Sequence, residues 1–211
     1  MIETRVCIGI AGGSCSGKTR IVQQLIEDLD SKLRCCFLSM DSFYKDKSFL
    51  PFEQRKLQNY DEPEAFDHLL LTEHLSKILN GEQVSVPVYD FVTHTRQGTV
   101  VTYPADLIIV EGIYVLYFEE LRKFYDLKIF IDASEKIRTD RRLNRDTIER
   151  GRTRNEVINQ LKDTVLPMHN EWVESTKKFA DLVIDSGRND VKACSKIIID
   201  CLSEEFARVF K

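Results

Sequence analysis

Five short apolar runs, at residues 5–11, 34–39, 106–111, 127–132 and 181–185, are separated by stretches in which apolar positions recur every three or four residues. A near-continuous apolar run is the pattern of a strand buried on both faces. Runs of that kind alternating with helical periods predict an α/β fold, a parallel sheet with helices against both sides. The helical spacing is carried by Ile21, Leu25 and Leu29, by Leu71, Leu75 and Leu79, by Ile137, Arg141 and Ile148, and by the stretch from Ile197 to Val209. One region breaks the alternation. Residues 84–89 and 99–103 read as two extended segments joined by a polar turn around Thr95-Arg96-Gln97-Gly98. That predicts a β-hairpin inserted between the second and third strands, too exposed in pattern to belong to the core. No internal repeat, low-complexity segment or long linker divides the 211 residues, which are read as one domain.

Composition narrows the function classes. Thirty Lys and Arg against 34 Asp and Glu give a net charge of −4, which argues against a surface built to bind nucleic acid. No apolar stretch approaches the ~20 residues of a membrane helix, and the first residues lead into a strand without a signal-peptide pattern. Six cysteines raise the question of disulfides. Cys7 lies in an apolar run, Cys15 among glycines, Cys35 and Cys36 are adjacent, and Cys194 and Cys201 share a helical period. With no CxxC and no Cys/His cluster of metal-binding spacing, they read as reduced thiols of a cytoplasmic protein.

The strongest chemical signal follows the first strand. Gly12-Gly13-Ser14-Cys15-Ser16-Gly17-Lys18-Thr19 matches G-x-x-x-x-G-K-[ST] and sits between a strand and a helix, as a phosphate-binding loop requires. Its glycines let the backbone wrap phosphates, and its N–H groups and the helix N-terminus supply fixed positive potential. Lys18 adds a full charge at the β- and γ-phosphates, and Thr19 offers a hydroxyl to Mg²⁺. Cys15 reads as a small side chain tolerated in the loop, with an oxidation-sensitive thiol as the alternative. The run Leu107-Ile108-Ile109-Val110-Glu111 ends in a carboxylate that can orient the metal, the alternative being a solvent-facing acid. A GTPase switch would follow with Asp-x-x-Gly and later Asn-Lys-x-Asp. This chain has Glu111-Gly112-Ile113-Tyr114 and no Asn-Lys-x-Asp. Asp41, just past the second strand, is placed to accept the proton of an attacking hydroxyl and to hold it in line with the γ-phosphorus. The alternative is a turn or capping acid.

Taken in order, the loop, LSMDSFYK, NYDEPEAFD, VPVYDFVTHTR, IIVEGIYVLY, RRLNRDTIERGR and KKFADLVI resemble the uridine kinase (uridine–cytidine kinase) family from about residue 6 to residue 187. The resemblance implies a three-layer P-loop fold with a five-stranded parallel core, a substrate hairpin at about 84–103 and an arginine-rich lid at about 138–165. It implies ATP with Mg²⁺ as donor, a pyrimidine nucleoside as acceptor, UMP or CMP as product, and a homotetramer. It makes Asp41 the catalytic base and Asp61 the carboxylate that holds the ribose hydroxyls, where a helix cap is the alternative. Tyr89, Phe91 and His94 become the base pocket, Arg142 a ribose contact, Arg145 and Arg150 phosphate contacts, and Arg152 and Gln160 base contacts. Arg138, Arg142 and Arg145 recur on one helical face, which as a lid would bring guanidiniums to the phosphoryl group and exclude water; the alternatives are a solvated face or a nucleic-acid contact. Three departures stand out: Met40 in place of Gln, Leu166 in place of a basic residue, and Ile184-Asp185-Ser186-Gly187 in place of a segment with Pro-Arg-Gly. Rival readings are another small-alcohol kinase, acting on phosphoribulose, pantothenate or nicotinamide riboside, and a nucleotide-dependent regulatory protein without phosphotransfer.

Overall fold

A computed structural model describes residues 5–30 and 32–207. The chain runs β1 (Val6–Ala11), α1 (Lys18–Leu29), β2 (Cys35–Ser39), a 3-10 turn (Met40–Phe43), a short α2 (Phe52–Lys56) and α3 (His68–Leu79). A hairpin follows, β3 (Val84–Asp90) and β4 (Thr95–Thr102), then β5 (Leu107–Glu111), a short α4 (Glu119–Arg122) and β6 (Leu127–Asp132). The last part comprises α5 (Glu135–Ile148), α6 (Arg154–Gln160), a π-helical turn (Leu161–Val165), a one-turn α7 (Leu166–Met168), β7 (Leu182–Asp185) and α8 (Val191–Glu205). The five expected core strands are all present, each within a residue of its expected bounds. The predicted last helix extends to Val209, which lies outside the described residues.

The five strands pair in parallel in the order β2-β5-β1-β6-β7. Side chains of a strand alternate between faces, so each apolar run feeds two cores. Val6, Ile8 and Ile10 of β1 pack with α1 and α8, alongside Ile109 and Ile129. Cys7 and Ala11 face the other way, with Leu38, Val110, α3 residues Leu71 and Leu75, and Phe130. Each fully buried aliphatic side chain is worth about 1.5–3 kcal/mol relative to exposure. The free cysteines fit this reading: Cys7, Cys36 and Cys194 are buried as small core residues, and burial pushes the Cys35 and Cys36 thiols up to about 11. Met40 is buried too, with its Cβ against Gly112, so this departure from the family pattern is part of the core.

Two expectations are corrected by the hairpin. Its turn lies at residues 91–94 rather than 95–98. Asp90 sets it: the carboxylate accepts from the Val92 and Thr93 amides and from the Thr93 hydroxyl, and the His94 amide donates to the Asp90 carbonyl. Gly98, which had signalled the turn, instead sits where the register shifts between Pro87 and Tyr89, with φ of +134°. That is the backbone of a bulge, a place that favours glycine as strongly as a turn does. Nor is the hairpin all surface, since Val84, Val86 and Tyr89 join the α3-side core while β4 stays largely exposed.

The third helix also differs from its pattern. Ile148 is exposed, and the buried face of α5 carries Arg138, Arg142 and Asp146. Arg138 does not join Arg142 and Arg145 at the cleft. Its Nε donates to the Ala133 carbonyl, and its guanidinium packs with His169 behind Gly13.

Candidate active site

The strand order explains where the chemistry gathers. Ile10, Ser39 and Glu111 lie in one transverse row, because β5 pairs with both β1 and β2. The loops leaving those three carboxyl ends therefore open on one crevice, where the sheet changes winding direction. The phosphate loop, Asp41 and Glu111 arrive there from three separate strands.

The loop itself is held by close backbone contact. Gly12 has φ of +145°, and a Cβ on it would lie 2.2 Å from the Ile131 carbonyl; a Cβ on Gly13 would meet Arg138 and His169 within 3 Å. Lys18 Nζ donates to the Gly13 carbonyl at 3.2 Å, and Arg141 Nη1 donates to the Ser16 carbonyl at 3.0 Å. Ser186, one of the departures, donates to the same Ser16 carbonyl at 2.5 Å and accepts from Arg141, so it braces the loop. Cys15, at φ of +61°, is half-buried within the loop. Gly17 begins α1 with φ of +100° and no side-chain cap, which leaves the first-turn N–H groups for an anion.

Glu111 is buried, 4 % exposed, so the solvent-facing alternative fails. Thr19 Oγ1 donates to its Oε2 at 3.2 Å, and Lys18 Nζ stands 3.7 Å from its Oε1. Burial pushes its carboxyl up, to about 7; Lys18 opposes this, while Asp41 adds to it. A buried carboxylate so incompletely neutralised beside a hydroxyl is an oxygen donor set suited to a hard divalent cation. Among the described residues no three His, Cys, Asp or Glu side chains cluster for a metal.

Asp41 is half-buried at the start of the 3-10 turn, its amide held by Ser39 Oγ at 3.3 Å, so the cap is Ser39 and not Asp41. Asp61 does not cap the next 3-10 turn, which Glu62 precedes without a side-chain bond. It accepts instead from Thr164 Oγ1 at 2.6 Å, while the Tyr114 hydroxyl donates to its backbone carbonyl. Both Asp41 and Asp61 line one cleft of about 880 Å³ together with the phosphate loop.

Away from the loop, the cleft is aromatic. Tyr89 packs on Tyr44 with centroids 4.9 Å apart and edge-on to Phe91 at 5.3 Å, while His94 stacks on Tyr60 at 4.6 Å and 9°. His94 is therefore packed and half-buried. Burial, then Arg152 and Arg55, holds its imidazole pKa below the ordinary 6.5, so the ring is neutral at pH 7, with Nδ1 unpartnered. Tyr44 and Tyr60, to which the sequence pattern assigns no role, complete this aromatic wall. Their signal was an aromatic three residues after Asp41 and one immediately before Asp61.

Opposite stand the arginines. Arg142 Nη1 donates to Ser14 Oγ at 2.8 Å, Arg150 lies over the Phe91 ring at 4.9 Å, and Arg152 Nη1 donates to Gln160 Oε1 at 2.5 Å. Arg145 lines the cleft beside them. Arg141, from the same basic helix, clasps the loop through the Ser16 and Ser186 carbonyls. One cleft is thus lined by Lys18, Thr19, Asp41, Asp61, Glu111, the hairpin residues Tyr89, Phe91 and His94, and Arg142, Arg145, Arg150, Arg152 and Gln160, whereas Arg138 stays outside it.

A parallel sheet with this strand order, a glycine loop leading into α1 and an acid at the end of a neighbouring strand define a P-loop NTPase fold. The chain belongs to the Phosphoribulokinase / Uridine kinase family, whose pattern matches residues 7–192. It is 48% identical over 188 residues to a uridine kinase of Anoxybacillus flavithermus, covering 89% of each chain. It is 45% identical over 192 residues to a uridine kinase of Lactobacillus helveticus, covering 90% of this chain and 91% of that one. Phosphoribulokinase from Rhodobacter spheroides shares the fold, with a TM-score of 0.64 at 14% identity over 87% of this chain and 70% of that one.

Proposed function

We propose that this chain transfers the γ-phosphoryl group of ATP to the 5′-hydroxyl of uridine or cytidine, giving UMP or CMP. The observation that carries the reading is one cleft with a phosphate loop and Asp41 at one end and an aromatic pocket with a neutral His94 at the other. Residues 12–19 hold the triphosphate through backbone N–H groups and Lys18. Thr19 and Glu111 would hold Mg²⁺, which would supply charge neutralisation at the phosphates. Asp41 accepts the proton of the 5′-hydroxyl and holds that oxygen toward the phosphorus. Asp61, kept in place by Thr164, offers its remaining acceptor sites to the vicinal ribose hydroxyls. Tyr89 and Phe91 form an apolar surface for the pyrimidine. Neutral His94 donates to a carbonyl or accepts from an amino group, a route to both uracil and cytosine. Arg142 and Arg145 meet the transferring phosphoryl group and the ribose, Arg150 reaches toward the phosphates from over the Phe91 ring, and Arg152 with Gln160 meets the base. In this reading the chain works as one kinase domain, with residues 84–103 as its acceptor platform and residues 138–165 as its lid.

A coupled ADP assay tests the proposal with uridine, cytidine, ribulose 5-phosphate, pantothenate, nicotinamide riboside and a no-acceptor blank. Turnover is expected with the two pyrimidine nucleosides at many times the blank rate. Equal rates with and without uridine or cytidine would sink it.

A further inference from the structure

Asp146 of α5 has no solvent exposure, and four cationic side chains face its carboxylate. Oδ1 accepts from Arg145 Nε at 2.8 Å and lies 3.8 Å from Arg150 Nε. Oδ2 lies 3.5 Å from Arg142 Nε and 3.4 Å from Arg152 Nη1. The Asp146 carbonyl also accepts from the Arg152 amide at 3.1 Å, which folds the turn after α5 back onto the helix. Burial pushes this carboxyl up, but Arg145 and Arg142 outweigh it and hold the group below its ordinary value, so the anion persists at neutral pH.

The four arginines diverge from that carboxylate. Arg142 reaches Ser14 of the phosphate loop, and Arg150 covers Phe91 on the hairpin turn. Arg152 reaches Gln160 on α6. Without Asp146, four like charges packed this closely would repel, and flexible guanidiniums would spread over many rotamers. With it, Arg145 Nε and Arg152 Nη1 are hydrogen-bonded, and Arg142 and Arg150 are held within 3.8 Å of the same carboxylate. The two oxygens also divide the work across the site. Oδ1 serves one arginine near the phosphates and one at the aromatic pocket, and so does Oδ2.

We propose that Asp146 is a positioning residue that sets all four guanidiniums at once, so that ordering of the acceptor end orders the phosphoryl end. The inference rests on the kinase reading above. It touches neither substrate nor nucleotide, and acts only through Arg142, Arg145, Arg150 and Arg152. The competing role is a plain structural anion that keeps α5 folded.

The test uses the full chain with Asp146→Asn, Arg145→Ala and the double variant, each checked for fold by circular dichroism. For Asp146→Asn, kcat with uridine is expected to fall about 100-fold while KM for ATP moves less than about threefold, because positioning acts on the transition state. The double variant should be no slower than the slower single variant, the non-additivity of residues that act as a unit. A kcat within twofold of wild type, or additive losses in the double variant, overturns the proposal. If Asp146→Asn does not fold, Asp146→Glu keeps the charge on a longer arm and should lower kcat about tenfold; an unchanged kcat there overturns it equally. A trypsin time course without substrates gives a readout free of the functional reading. Cleavage after Arg142, Arg145, Arg150 and Arg152 should be at least tenfold faster in Asp146→Asn than in wild type, and equal rates would defeat the proposal. Wild-type protein that phosphorylates no nucleoside would instead sink the kinase reading, while equal trypsin rates would still overturn the case of Asp146.

Discussion

The two ends of the cleft are built in opposite ways. The phosphate end is one run of eight residues from the end of β1 into the first turn of α1, and it offers mainly backbone N–H groups. The acceptor end is assembled from Tyr44 after β2, Tyr60 and Asp61 before α3, Tyr89, Phe91 and His94 on the hairpin, and arginines from beyond β6. The first suits a ligand of fixed shape and charge, because backbone dipoles are rigid and need no side-chain ordering. The second suits a ligand that must be told apart from its relatives, because side chains from several segments can be exchanged one at a time. Specificity is expected to reside at the assembled end, and nucleotide affinity at the contiguous one.

The largest expected effect lies where the two ends meet. Asp41→Asn should lower kcat about 1,000-fold, within the span of general-base contributions. Nucleotide affinity, measured with a fluorescent ATP analogue, should stay within about threefold. A parallel loss of affinity would mean that Asp41 belongs to the phosphate end instead.

Two glycines compare backbone tolerance. Gly12→Ala places a Cβ 2.2 Å from the Ile131 carbonyl at φ of +145°, whereas Gly98→Ala, at φ of +134°, meets nothing within 4 Å. The first should cost about 3 kcal/mol and the second about 1 kcal/mol. For a chain of this size that is a fall in Tm of roughly 10 °C against roughly 3 °C. Equal shifts by thermal denaturation would erase the contrast.

His94→Phe should reduce kcat/KM for uridine about 10- to 30-fold, the cost of losing one hydrogen bond to the base, and leave KM for ATP unchanged. Its pH behaviour follows from the direction of its shift. Because the imidazole pKa is held below 6.5, the ring is already neutral above that pH. Uridine KM should therefore be flat from pH 8 to about 6.5 and rise only in more acidic solution. Loss of that acidic rise in the Phe variant is the check.

The smallest effect belongs to a supporting bond. Thr164→Val removes the hydroxyl that donates to Asp61 Oδ2 at 2.6 Å. A loss of about 1 kcal/mol is expected, seen as a roughly fivefold rise in KM for uridine. KM for 2′-deoxyuridine should rise less, since one ribose hydroxyl is missing already.

How much of this was legible beforehand follows the same division. The core strands, the loop and Glu111 could be read because each is announced within a few consecutive residues by an apolar run, a glycine spacing or a strand-end acid. The hairpin turn was misplaced because Gly98 serves a bulge, and turn and bulge ask the same positive φ of a residue. The arginine face of α5 was legible as a lid, but its burial was not, because a helix of Arg, Asp and Asn carries no apolar stripe. Its burial comes from charge pairing around Asp146, and no hydrophobic pattern carries that signal.

By itself the sequence determined the parallel sheet, the triphosphate cradle and the family, since local backbone preference and short motifs are properties of neighbouring residues. Tertiary structure alone decided that Tyr60 lies flat against His94, that Thr164 reaches Asp61 across 103 positions, and that four arginines share one carboxylate. Contacts between segments so far apart in the chain depend on how the layers pack. Packing is settled by the whole core at once, not by any one stretch of it.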